Sequence, residues 1–321
     1  MSIIVGDCLD VMKTIPSRSV HCCVTSPPYW RLRDYGVAGQ LGFEKTPEEH
    51  VERMTDVFWE VRRILRDDGV MFLNIGDTYA QQGGPGWQGK NGQRADRRFT
   101  LTRNTVPLRE CSRSSALCGL KPKNLVGIPW RVAFALQADG WILRQDIIWE
   151  KPNPLPESVK DRCTKSHEYI FLMAKSERYY FDAEAIKEPV AASSVARLNQ
   201  PNVKTQQGSY RVPGKTNGPM RAVGNTETRN KRSVWVVNTQ PFKEAHFATF
   251  PPKLIEPCIL AGCPKGGIVL DPFFGAGTTG VVCRELERKF IGIELNPAYA
   301  EIAWKRINCL HPEAAGKINP A

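Results

Sequence analysis

Short apolar runs alternate with longer stretches in which the apolar positions recur every three to four residues. Ile3-Ile4-Val5 is a short strand, followed by Gly6-Asp7 and a helical stretch to about Lys13. Ser19 to Val24 (SVHCCV) is apolar and short, as a buried parallel strand is. Thr46-Pro47-Glu48-Glu49 combines an N-cap threonine, a proline at the first helical position and a glutamate three residues after the cap. That signature predicts a helix to about Arg66, with Val51, Met54, Val57, Phe58, Val61, Ile64 and Leu65 on its apolar face and Asp67-Asp68-Gly69 as its stop. Further strands are expected over Val70 to Ile75, Trp141 to Trp149, Glu168 to Ala174, Gly267 to Leu270 and Lys289 to Glu294. Helices are expected over about Ile128 to Ala138, from Pro251, after Gly277, and from Pro297 to about Ile307, with a frayed tail from about His311. Strand alternating with helix indicates an α/β fold with a mostly parallel sheet covered on both faces.

Two windows interrupt this pattern, and charge distinguishes them. Residues 83–124 hold nine Lys/Arg against two Asp/Glu, and residues 184–232 hold nine against three. Their combined surplus exceeds the net charge of +11 for all 321 residues, so the remainder is near neutral. Basic character gathered into two long polar segments points to a polyanionic partner, nucleic acid first. The alternative is a pair of solvated loops. Within the windows Arg94, Arg97, Arg98, Arg211, Lys215 and Arg221 are the candidate contacts. No apolar run is long enough for a membrane span, and the first residues lack the features of a signal peptide. The ten cysteines are scattered without a CxxC pair, which argues for reduced thiols in the cytoplasm and against a structural zinc site.

Candidate chemistry sits at two strand ends. After the strand ending at Val24, Thr25-Ser26-Pro27-Pro28-Tyr29-Trp30 forces the chain out of the sheet, because two prolines cannot continue a ladder. Ser26 and the Pro27 carbonyl are then expected at the carboxyl edge of the sheet, where open α/β folds bind ligands. On its own this is equally an ordinary strand-ending loop. Near the other end of the chain, Asp271-Pro272-Phe273-Phe274-Gly275-Ala276-Gly277-Thr278-Thr279 is a glycine-rich strand-to-helix turn, and Glu294 ends the next strand. Glycines admit close backbone approach to a ligand, a helix amino end offers free N–H groups, and an acid so placed can accept ribose hydroxyls. The spacing differs from the dinucleotide fingerprint, and no P-loop lysine follows.

Both stretches together resemble the amino-group DNA methyltransferases. Ser26-Pro27-Pro28-Tyr29 is similar to their catalytic (D/N/S)-P-P-(Y/F) motif, and Asp271 to Thr279 to their S-adenosyl-L-methionine motif. The catalytic motif comes first, which resembles the permuted β group. Gly6-Asp7-Cys8-Leu9 resembles the segment that contacts the cofactor adenine, and His246-Phe247-Ala248-Thr249-Phe250-Pro251 the segment that precedes the cofactor turn. Ile147 to Pro154 and His167-Glu168-Tyr169 also resemble family signatures.

The resemblance implies a Rossmann-like class I methyltransferase fold: a circularly permuted, mostly parallel, seven-stranded sheet with helices on both faces and a basic target-recognition insertion. Residues 1–183 become the catalytic half, with 83–124 a basic insertion. Residues 184–233 become the target-recognition region, 234–308 the cofactor half and 309–321 a tail. Implied catalytic residues are Ser26, Pro27, Pro28 and Tyr29. Implied cofactor contacts are Asp7, Cys8, Thr25, Ser26, His246, Phe247, Ala248, Thr249, Phe250, Asp271, Pro272, Phe273, Gly275, Gly277, Thr278, Thr279, Glu294 and Leu295. The implied partners are double-stranded DNA, a second copy of the chain in a homodimer, and a cognate restriction endonuclease. The implied setting is cytoplasmic and nucleoid-associated, for a bacterial or phage-encoded enzyme.

An exocyclic amino group is a poor nucleophile because its lone pair is delocalised into the ring. Two acceptors on its hydrogens localise that pair, and Ser26 with the Pro27 carbonyl would be those acceptors. Tyr29 would stack on the base, which must leave the duplex. In the family, serine tends to accompany cytosine N4 and aspartate adenine N6. Cytosine is favoured on that ground and adenine stays open. Methylation at ring carbon 5 is set aside, since the one Pro-Cys, Pro257-Cys258, lies in an apolar helical stretch. A protein glutamine methyltransferase and a non-catalytic DNA-binding module remain the readings from other classes.

Overall fold

Strand β2 (Val20–Thr25) lies in the middle of the main sheet, buried at five of its six positions. The computed structural model describes residues 1–32, 35–80, 119–191, 195, 227–240, 249–310 and 317–320. The described residues form two compact units, 1–181 with 233–321, and 182–232.

The larger unit contains β1 (Ser2–Val5), α1 (Cys8–Thr14), β2, α2 (Pro47–Ile64), β3 (Leu65–Ile75), α3 (Ile128–Ala138), β4 (Ile142–Glu150) and β5 (His167–Ala174). The smaller unit holds β6 (Glu188–Pro189) and β7 (Thr228–Arg229). The larger unit resumes with β8 (Val234–Val236), α4 (Pro252–Gly262), β9 (Ile268–Asp271), α5 (Thr278–Glu285), β10 (Lys289–Glu294), α6 (Pro297–Leu310) and β11 (Lys317–Pro320).

The sheet order is β11-β1-β10-β9-β2-β3-β5-β4-β8. Among the described residues the sheet therefore has nine strands, where seven were expected. Both outermost strands are edge additions: β8 pairs in parallel with the end of β4, and β11 pairs in parallel with β1. The expected frayed tail is corrected by β11, whose backbone extends the sheet. Short edge strands escape pattern reading because ladder pairing, more than a periodic apolar face, holds them in place.

Successive side chains of β2 and β3 point to opposite faces. Cys23, Met71 and Leu73 face a core shared with α1, α2 and α3. Cys22, Val70 and Phe72 close on Gly262 of α4, where an added Cβ would approach the Cys22 sulfur to 2.7 Å. Helices therefore cover both faces. Thr46 caps α2 by accepting a hydrogen bond from the Glu49 N–H at 3.1 Å, while Glu49 reaches back to the Lys45 N–H at 2.9 Å.

Strand β5 runs against its neighbours, antiparallel to both β3 and β4. Its register places Glu150 opposite His167 and Trp149 opposite Glu168. The amino end of β5 thus lies at the edge where the parallel strands end, and adds its first residues to that rim. The crossovers diverge at β2 and β9: β2 leads through α2 to β3 on one side, and β9 leads through α5 to β10 on the other. Open α/β sheets form their ligand crevice at such a switch point.

In the smaller unit β6 and β7 pair antiparallel, and Glu188 accepts hydrogen bonds from Arg229 at 3.0 Å and Arg232 at 2.8 Å. An isolated antiparallel bridge, Tyr79 to Leu125, joins the two chain ends that flank residues 81–118. Among the described residues no helix is long and apolar enough to cross a membrane.

Candidate active site

The crevice at the switch point is a cavity of about 810 Å³. Its lining includes Ser26, Pro27, Pro28 and Tyr29 from the turn after β2, and Pro272, Phe273 and Gly275 from the turn after β9. The two turns are joined at their base. The fully buried Thr25 donates its hydroxyl to Asp271 Oδ1 at 2.7 Å, across 246 residues of sequence. Asp271 also accepts from the Phe273 N–H at 3.1 Å and from the Thr279 hydroxyl at 2.6 Å. Burial nevertheless pushes its carboxyl up to about 6.

The second turn leaves bare backbone facing the cavity. Gly275 has φ +51°, and a Cβ placed there would meet only the Phe273 carbonyl oxygen, 4.0 Å away. Its N–H donates to Glu294 Oε2 at 2.7 Å, while Glu294 Oε1 accepts from the Asn296 N–H at 2.9 Å. Burial raises the Glu294 carboxyl above its ordinary range. A carboxylate held at both oxygens, with the second lone pair of each still to place, suits a vicinal diol. The open cradle at Gly275 suits a ligand pressed against backbone. Asp7 caps α1 through Oδ1, which accepts from the Leu9 N–H at 2.9 Å, and Cys8 adds a thiol that burial pushes up to about 12. This donor set fits a nucleoside-type cofactor.

The expected cofactor residues fall into three groups. Asp7, Cys8, Ser26, Thr249, Phe250, Pro272, Phe273, Gly275, Thr278, Glu294 and Leu295 line the cavity. Thr25, Asp271, Gly277 and Thr279 stand behind the wall. Three of these are fixed in the hydrogen-bond cluster just described. Gly277, at φ +75°, packs so closely on α6 that a Cβ would come within 2.8 Å of the Ala303 methyl. From there they support the turn that lines the cavity. His246, Phe247 and Ala248 lie outside the described residues, as do Arg94, Arg97, Arg98, Arg211, Lys215 and Arg221.

On the far wall Tyr29 joins a polar cluster whose other members, Asn74, Lys151 and Glu168, were not among the expected site residues. The Tyr29 hydroxyl donates to Glu168 Oε2 at 2.7 Å and lies 3.3 Å from Asn74 Oδ1. Asn74 Nδ2 donates to Glu168 Oε2 at 3.3 Å and to the Tyr169 carbonyl at 3.1 Å, which orients the amide. The Lys151 ammonium pairs with Glu168 Oε1 and lies 4.2 Å from the centre of the Trp149 ring. Burial first, and the Glu168 charge second, push the Tyr29 phenol well above its ordinary range, so it keeps its proton. The Tyr29 ring rests on Gly76, where a Cβ would come within 2.5 Å of Cε2. The signal for Lys151 and Glu168 was their place in runs that resemble family signatures. Asn74 and Gly76 carried no such signal.

Residues 20–305 match the family model described as DNA methylase, of the N6/N4 type. The chain is 46% identical over 302 residues to the type II methyltransferase M.Cfr9I of Citrobacter freundii, covering 94% of this chain and 86% of that one. It is also 46% identical over 305 residues to the type II methyltransferase M.SmaI of Serratia marcescens, covering 95% and 90%. Among solved structures, it superposes on the cytosine-N4-specific PvuII DNA methyltransferase with a TM-score of 0.60 at 19% identity, covering 94% and 84%. A putative DNA modification methylase of Thermus thermophilus, complexed with S-adenosyl-L-methionine, gives 0.58 at 20% identity, covering 99% and 98%. These likenesses to solved structures extend to the fold.

Proposed function

The chain belongs to the N6/N4 DNA methylase family of type II, S-adenosyl-L-methionine-dependent DNA methyltransferases, and from that premise we propose that it methylates N4 of a cytosine flipped out of duplex DNA. The observation that carries the choice of base is the residue at the head of the catalytic turn. It is Ser26, a hydroxyl where the family's adenine enzymes tend to carry a carboxylate, and it faces the cavity beside Pro27. The cofactor supplies a methyl group already activated as a sulfonium substituent.

The chain's own task is then alignment. Ser26 Oγ and the Pro27 carbonyl accept the two amino hydrogens and draw the nitrogen toward tetrahedral geometry. The Tyr29 ring, held between Gly76 and its hydroxyl tether, offers a flat face to the base. Glu294, Asp7 and the Gly275 backbone would hold the ribose and adenine of the cofactor, with Phe273, Phe250 and Leu295 as apolar wall. The Thr25–Asp271 bond sets the spacing between the two turns.

The segments 83–124 and 184–233 supply the DNA surface in this reading, the second as the target-recognition region. Their candidate contacts are Arg94, Arg97, Arg98, Arg211, Lys215 and Arg221. A homodimer and a cognate endonuclease, acting on DNA in the cytoplasm, complete the proposal.

Base-resolved sequencing of genomic DNA from a host expressing the chain tests the reading. N4-methylcytosine at one recurring site is expected, whereas N6-methyladenine there would overturn the choice of base. Ser26→Ala should leave cofactor affinity unchanged by calorimetry and collapse turnover on DNA. Lost cofactor affinity would contradict the role given to Ser26.

A further inference from the structure

A serine hydroxyl is a weaker acceptor than a carboxylate, yet here it stands at the head of the turn. We infer that Glu168 is a positioning residue that supplies the missing negative charge, acting on Ser26 through the Tyr29 hydroxyl. The argument is one of proton counting. Facing the Lys151 ammonium, Glu168 acts as an acceptor, so the 2.7 Å contact with Tyr29 takes the single phenolic proton. The Ser26 Oγ to Tyr29 Oη contact, 3.5 Å, can then be made only with serine as donor. That length is beyond a closed hydroxyl hydrogen bond, as catalytic contacts commonly are before substrate arrives.

With its proton directed at Tyr29, Ser26 presents lone pairs to the cavity and no hydrogen. That disposes it as an acceptor, and closure of the contact as the base enters completes the orientation. A hydroxyl free to rotate could instead donate toward the ring, and would lose part of its pull on the amino group. Hydrogen bonds in series also polarise one another, so the carboxylate strengthens the serine oxygen two bonds away. The remaining members hold the carboxylate still. Lys151 anchors Oε1, Asn74 Nδ2 approaches Oε2, and the β5 register fixes the backbone beneath Glu168. The Asn74 amide is itself oriented by the Tyr169 carbonyl, which turns Oδ1 toward Tyr29.

This inference rests on Ser26 being the acceptor of the target amino group. The test therefore uses Ser26→Ala, Glu168→Gln, Tyr29→Phe and the double variant Tyr29→Phe/Glu168→Gln in the full chain. Single-turnover methylation of duplex DNA is measured with cofactor and DNA saturating, alongside affinities for both. Glu168→Gln keeps the shape of the side chain but removes its charge. It should slow the single-turnover rate on the order of tenfold or more, with both affinities within about twofold. Tyr29→Phe should slow it similarly. The double variant should be no slower than the worse single one, because both changes cut the same chain. Fully multiplicative losses would overturn the relay, and so would a Glu168→Gln rate equal to wild type while Ser26→Ala is inactive. An active Ser26→Ala would instead overturn the underlying reading. If Glu168→Gln fails to fold, Tyr29→Phe and Glu168→Asp carry the test. Glu168→Asp should then recover rate relative to Tyr29→Phe, and no recovery would count against the charge.

Discussion

Gly76→Ala isolates the contact that holds the Tyr29 ring. The added Cβ would lie 2.5 Å from Tyr29 Cε2, 3.0 Å from Cδ2 and 3.2 Å from Cζ. Carbon atoms rest at about 3.5 Å or more, so the ring or the strand end must move by about 1 Å. The ring cannot slide freely, because its hydroxyl is tethered to Glu168 at 2.7 Å. Either the tether opens or the backbone after β3 shifts, and both displace the surface on which the base would sit. Misplacement on this scale costs about a hundredfold in rate, and overpacking a tight site costs about 1–3 kcal/mol of stability. The proposed cofactor wall, built from the turns after β1, β9 and β10 and the segment before α4, should be untouched. Single-turnover methylation, thermal unfolding and calorimetric titration with the cofactor separate these effects. The expected result is a rate near one hundredth of wild type, a lower midpoint and an unchanged cofactor dissociation constant. Wild-type turnover would refute the tether, and loss of cofactor affinity would refute the separation of the two walls.

Three further outcomes follow from the same structure. In its proposed role Glu294 accepts the cofactor's hydroxyls as a carboxylate, and burial raises its carboxyl. Cofactor affinity should therefore be full at neutral pH and fall as pH drops through a value above the ordinary carboxylate range. Glu294→Gln should bind weakly with a flat profile, and a parallel fall in that variant would exclude Glu294 as the titrating group. Asp271 is raised by burial from 3.8 to about 6, so the folded chain holds that proton more tightly than the unfolded one. Its contribution to stability is complete below about pH 4 and is lost as pH rises through about 6, to a total of about 3 kcal/mol. The stability of Asp271→Asn relative to wild type should then grow between about pH 5 and pH 7 in denaturant titrations, and a constant difference would refute the shift. DNA affinity should fall steeply with salt, and replacing Arg211, Lys215 and Arg221 by neutral residues should lower the log–log slope by about 3 if each meets a phosphate. An unchanged slope would remove that segment from the DNA surface.

What the amino-acid sequence determined by itself was local or tied to a repeating pattern. Thr46-Pro47-Glu48-Glu49 announces a helix because capping involves only neighbouring backbone groups. Pro27-Pro28 ends a strand because proline lacks the donor a ladder needs. The Gly275-Ala276-Gly277 turn and Glu294, 19 residues beyond Gly275, read as one site because the intervening helix and strand have standard lengths.

The far wall could not be read this way. Nothing local to Glu168 says that it meets Tyr29, 139 residues earlier. That meeting depends on β5 running against β3 and β4, and strand direction is settled by which neighbours a strand pairs with. The burial of Thr25 against Asp271 and the packing of Gly76 beneath the Tyr29 ring depend in the same way on the assembled sheet. The edge strands β8 and β11 hold their places through backbone pairing, which leaves little trace in side-chain pattern. Chemistry carried by one turn was therefore legible from the chain alone, and chemistry shared between turns was decided by the sheet that brings them together.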